Sequence, residues 1–139
     1  MKLKLLLSSV LALSLAGLGY AASDETPLSK EMTAMNKSLR TVKRQAADPA
    51  KKAENLELIG KVKKNLDEAA KLEPKKTKEQ SDKAGYAKKY KEEMAALAKS
   101  VDDLESAIKA DKADDAKKAL DKIYQQKEKG HKDFGVDED

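Results

Sequence analysis

No cysteine occurs among the 139 residues, which excludes a disulfide framework and a lipid-modified N-terminal cysteine. Histidine occurs once and aromatic residues only five times. One histidine and no thiolate leave too few donors for a zinc or copper site held by protein ligands alone. A nucleic-acid footprint would need clustered positive charge and aromatics to stack on bases, whereas here lysines and carboxylates interleave. No Gly-rich elbow presents a serine to the single histidine, so nucleophilic catalysis lacks its parts and an enzyme is not expected. Sustained period-two alternation is also missing, and with it the signature of strands.

What is present begins with a leader. Lys2 and Lys4 precede an apolar run from Leu5 to Leu18, and Gly19-Tyr20-Ala21 supplies the small-x-small pattern of a processing point. The run is short for a membrane span. We read residues 1–21 as a cleaved secretory signal, with a cut after Ser23 as the second option, and expect a periplasmic protein with no membrane association after cleavage. An uncleaved, anchored form is the alternative. Cleavage removes two lysines, so 29 basic residues become 27 against 25 acidic ones, and the formal charge falls from +4 to +2. Residues 22–139 suffice for one small domain. An exported chain without disulfides is held together by its apolar core, by a bound cofactor, or by both.

The spacing of apolar residues predicts four helices. Leu28, Met32, Met35, Leu39, Val42 and Ala46 alternate steps of four and three, one stripe of an amphipathic helix. Asp48-Pro49 ends it and opens a second helix to Leu72, with Asp48 as N-cap and Leu56, Ile59, Val62, Leu66, Ala69 and Leu72 inside. Glu73 to Asp82 has no apolar residue and reads as one long loop. A third helix carries Tyr86, Tyr90, Met94, Leu97, Val101, Leu104 and Ile108. Ala110-Asp111-Lys112 reads as a tight turn with Asp111 capping a fourth helix, whose stripe runs Ala113, Ala116, Leu120, Ile123, Tyr124 and Lys127 toward His131 and Phe134. The acidic tail from Gly135 is expected to fray. Four such helices specify an all-α, antiparallel up-down-up-down bundle, expected as a monomer. A three-helix bundle with a loose first helix and a domain-swapped dimer are the alternatives.

In that topology the start of helix 1 and the end of helix 4 share one end of the bundle. Met32 then faces His131 across the seam between them. A thioether and an imidazole in this relation are an axial pair for haem iron. Each also has an ordinary structural reading: methionine fills cores, and histidine suits a helix C-terminus. Met35, one turn deeper, reads as core. Gly130, directly before His131, is where helix 4 would stop if it ends early, turning the imidazole outward.

The mature chain resembles the soluble cytochrome b562 family: a signal peptide, four helices with the long connection between the second and third, Met-x-x-Met-Asn-x-x-Leu at Met32 to Leu39, and a histidine close to the C-terminus. The resemblance implies non-covalent b-type haem ligated by Met32 and His131. It places Tyr90, Met94 and Leu97 in the haem pocket, and Lys127 is counted with them as a cofactor contact. Relatives that fill pocket positions with phenylalanine would differ at Tyr90 and Met94. A covalent c-type attachment would need cysteines at 127 and 130, where Lys127 and Gly130 stand.

The function expected is periplasmic electron transfer to redox partner proteins. The alternatives are a haem-free envelope protein that uses a helical groove for apolar ligands or unfolded chains, and a purely structural homodimer. The lysine-rich surface reads most simply as a solubility feature, and secondly as a guide for acidic redox partners.

Overall fold

The computed structural model describes residues 25–136; the expected signal at 1–21 and the last three residues lie outside the described residues. The first helix, α1 (Pro27–Gln45), starts where Thr26 can cap it: the threonine hydroxyl accepts from the Ser29 backbone N–H at 3.0 Å, and Pro27 fills a first-turn position that needs no donor. Asp48 caps the next segment as expected, accepting from the Ala50 N–H at 2.9 Å. That segment is a short 3-10 turn, Pro49–Lys51, so α2 proper spans Lys52–Ala70 and begins one turn later than the proline suggested.

Two features of α2 depart from the apolar spacing. Leu56 and Leu72 are only half-buried, while Asn55 is completely inside. Asn55 is tolerated there because its amide is satisfied. Its Oδ1 accepts from Gln45 Nε2 at 2.9 Å and its Nδ2 donates to the Gln45 carbonyl at 3.3 Å, joining the end of α1 to the start of α2.

The stretch read as a long loop is partly ordered into a second 3-10 turn, Lys75–Glu79, with Pro74 and Thr77 buried against the bundle. Asp82 then caps α3 (Lys83–Lys109), its Oδ1 accepting from the Gly85 N–H at 2.9 Å. Asp111 does not cap the last helix. It adopts the left-handed conformation, φ 56°, which lets the Lys112 N–H turn back to the Ala107 carbonyl at 2.9 Å. Lys52 Nζ ties down this corner through Asp111 Oδ2 at 2.8 Å and the Lys109 carbonyl at 2.7 Å.

The last helix, α4 (Ala113–Phe134), starts with an exposed Ala113 rather than a core one and runs through Gly130 without a break. It stops at Gly135, which takes the left-handed φ of 62° and donates its N–H to the His131 carbonyl at 2.9 Å. Val136 is buried, so the tail is anchored at least this far.

The four stripes meet in one core, with Leu39, Val42, Ile59, Val62, Val101, Leu104 and Ile123 fully excluded from solvent. Close packing of α1 on α2, α2 on α3 and α3 on α4 makes the up-down-up-down bundle and secures the first helix within it. The seam between α1 and α4 is the most thinly packed of the four.

Candidate functional site

At the end of the bundle where α1 begins and α4 ends, the thin seam encloses a cavity of about 30 Å3. Met32 comes to it from the first turns of α1, His131 from the last turn of α4, and Tyr90, Met94 and Leu97 from α3. Lys127, Gly130, Phe134 and Val136 complete much of the wall. All six residues singled out from the sequence therefore border one space. Met35 does not border it and is core, 1% exposed.

His131 faces this space because α4 continues past Gly130. A Cβ built at Gly130 would meet no atom within 4 Å, so this glycine is required neither for a turn nor for close packing. The His131 ring is half-buried and its Nε2 is screened from solvent. Met32 is 5% exposed. The surrounding wall is predominantly apolar.

Aromatic residues close the far side. Phe134 is 2% exposed and meets the edges of Tyr86 and Tyr90 at centroid separations of 5.2 and 5.1 Å. Tyr90 is fixed by its hydroxyl, which donates to the Ala69 carbonyl at 2.6 Å, and burial pushes its phenol up to about 12. Tyr86 donates to the Asp133 carbonyl at 3.0 Å, holding the end of α4 against α3.

Charge is kept to the rim. Asp133 receives both Lys129 Nζ and Lys89 Nζ at 3.0 Å, and Lys129 also bonds Glu93. Lys129 and then Lys89 hold the Asp133 carboxyl below the usual range, and Glu93 with Asp133 raises the Lys129 ammonium. Lys127 is the exception: it is buried, and its ammonium donates to Asn36 Oδ1 at 2.8 Å and lies 5.3 Å from the centre of the Tyr124 ring.

Sequence reasoning missed Asn36, Glu93, Gln126, Phe134 and Val136 as parts of this region. Phe134 had a readable signal, since it lies three residues beyond His131 and hence on the same helix face. Asn36 had none, because its partner is 91 positions away.

One thioether and one imidazole are too few to hold a bare transition ion, and among the described residues no group of three histidine, cysteine, aspartate or glutamate side chains could do so. The pair suits an iron that arrives with its equatorial positions filled by a macrocycle and needs only two axial donors in an apolar slot. A family model for cytochrome b562 matches residues 27–134, the whole helical body. No curated protein and no solved structure gives a significant match. A match over this extent, on a four-helix bundle whose terminal helices bring a methionine and a histidine to one apolar cavity, shows that the chain belongs to the cytochrome b562 family of haem-binding electron carriers.

Proposed function

We propose that the chain carries one non-covalent b-type haem between α1 and α4, with Met32 and His131 as axial ligands, and serves as a one-electron carrier in the periplasm. One observation carries this reading: a thioether and an imidazole separated by almost the whole domain border the same apolar cavity. The expected signal peptide supports the compartment.

The bound group would supply the ferric and ferrous states, and the protein's own residues set how it is held. The imidazole of His131 and the thioether of Met32 would bind from opposite helices, so that insertion requires the thin α1–α4 seam to part. Met32 and Met94, unbranched and conformationally adaptable, can reshape the slot at low cost. Tyr90 and Phe134, interlocked edge to face, form a stiff back wall. No cysteine is available for a covalent anchor, so retention would rest on the two axial contacts and on burial.

The test is titration of the purified mature protein with haemin. One equivalent should give a six-coordinate spectrum with sharp bands on reduction, extractable by acidic solvent, and His131→Ala should abolish it. A colourless protein that cannot be reconstituted sinks the reading and favours a haem-free helical binder.

A further inference from the structure

The outer face of α3 carries a feature unrelated to ligation. Ala84, Ala87 and Ala95, with Lys88, Lys91 and Glu92 between them, recur at helical spacing along this face and line a shallow depression of about 440 Å3. A second depression, of about 410 Å3, shares Ala84, Ala87 and Lys91 and continues over Ala70 and Leu72, with Lys71, Glu73 and Lys83 at its margin. Together they form a trough whose centre is floored by alanines, with Leu72 and Pro74 at one end, and whose rim sets four lysines, Lys71, Lys83, Lys88 and Lys91, against two glutamates, Glu73 and Glu92, leaving it net positive.

Charge is unevenly distributed along the bundle. Residues 71–91 hold eight lysines against three acids, whereas residues 102–121, at the opposite end, hold four lysines against seven acids. Within the basic stretch Lys71 is bridged to Glu68, Lys88 to Glu92 at 3.9 Å and Lys89 to Asp133, but Lys83 and Lys91 are exposed and make no ion pair with a carboxylate among the described residues. The trough lies beside the candidate haem site, because Tyr90 belongs to the walls of both.

We propose that this lysine-rimmed alanine trough is the docking surface for an acidic redox protein. The inference rests on the electron-carrier reading and adds the face used and the sign of the partner. A flat centre of small side chains allows close approach, which electron transfer requires, and a charged rim steers a complementary surface without building a tight complex. Redox encounters fit that pattern, being small and transient. A membrane surface suits it less, since Pro74 and Tyr90 are buried and Leu72 half-buried, which leaves mainly alanines exposed and no protruding large apolar group to insert between lipids.

The probe is an acidic plant-type [2Fe–2S] ferredoxin, added to the 15N-labelled mature protein with and without haemin. Amide perturbations should centre on residues 70–95, fade between about 20 and about 200 mM salt, and disappear in Lys83→Glu/Lys91→Glu. Both positions are solvent-exposed, so circular dichroism should show the variant folded. In haem-loaded protein the bimolecular rate of reduction by this ferredoxin should fall at least about tenfold in the double variant at low salt. Perturbations centred elsewhere, unaffected by the double variant, or absent would overturn the proposal, as would binding to anionic phosphatidylglycerol vesicles without binding to the ferredoxin. If haemin fails to bind, the amide map still judges the surface; if haemin binds and the map is elsewhere, only the docking proposal falls.

Discussion

The ammonium of Lys127, buried on α4, donates to Oδ1 of Asn36 on α1 at 2.8 Å. It is a charge-assisted hydrogen bond across the least packed seam of the bundle. Asn36→Ala removes this acceptor from a buried cation and should cost about 2 kcal/mol in urea unfolding of the haem-free protein. Lys127→Met removes the charge together with the need to satisfy it, keeps most of the packing volume, and should cost less than about 1 kcal/mol. Equal losses in the two variants would show that the bond does not hold the seam.

The two methionines of α1 should separate cleanly. Met32 borders the cavity and Met35 does not. In reconstituted protein, Met32→Ala should keep haem through His131 but lose the six-coordinate spectrum and lower the reduction potential, since a thioether ligand favours ferrous iron. Met35→Leu should leave both unchanged at a stability cost below about 1.5 kcal/mol. Spectroelectrochemistry checks each expectation, and an unchanged potential in Met32→Ala would remove it as a ligand.

Tyr90 should set an alkaline limit to stability. Its phenol is held near 12 by burial, against about 10 in the unfolded chain. Between these values the unfolded state releases a proton that the folded state retains, so this contribution is complete below pH 10 and is lost as pH rises toward 12. Tyr90→Phe deletes the ionisable hydroxyl and should flatten the fall in urea midpoint over that interval. A parallel decline in the variant would assign the effect to other groups.

The α1, α3 and α4 stripes were legible because steps of three and four match one face of a helix, and topology was enough to bring Met32 and His131 to the same end of the bundle. Polar interior positions were not. Asn55 occupies the core because Gln45 satisfies its amide, a condition visible only once α1 turns onto α2. The linker looked structureless because it lacks apolar residues, yet Lys76 reaches the Lys132 carbonyl at 3.3 Å and Thr77 is covered by the packing of its neighbours. Asp111 resembled an N-cap by residue type, whereas the corner needed a residue that tolerates positive φ. The first two misses depend on contacts that form only when elements fold onto one another and the third on the backbone conformation of one corner residue, neither of which periodicity encodes.

Gly130 and Gly135 bracket the last turn of α4 and should respond to alanine in opposite directions. Gly130 has no positive φ, and its missing Cβ faces open space. Gly130→Ala should therefore stabilise the haem-free protein by about 0.5–1 kcal/mol, by lowering the entropy of the unfolded chain and improving helix propensity. Gly135 sits at φ 62°, and a Cβ there would come within 2.5 Å of the Lys76 side chain. That side chain can shift, but the left-handed backbone cannot be relieved without undoing the helix stop, so Gly135→Ala should destabilise by about 1–2 kcal/mol. Destabilisation by Gly130→Ala would mean that α4 does not run unbroken to Phe134, and the placement of the His131 imidazole in the cavity would fall with it.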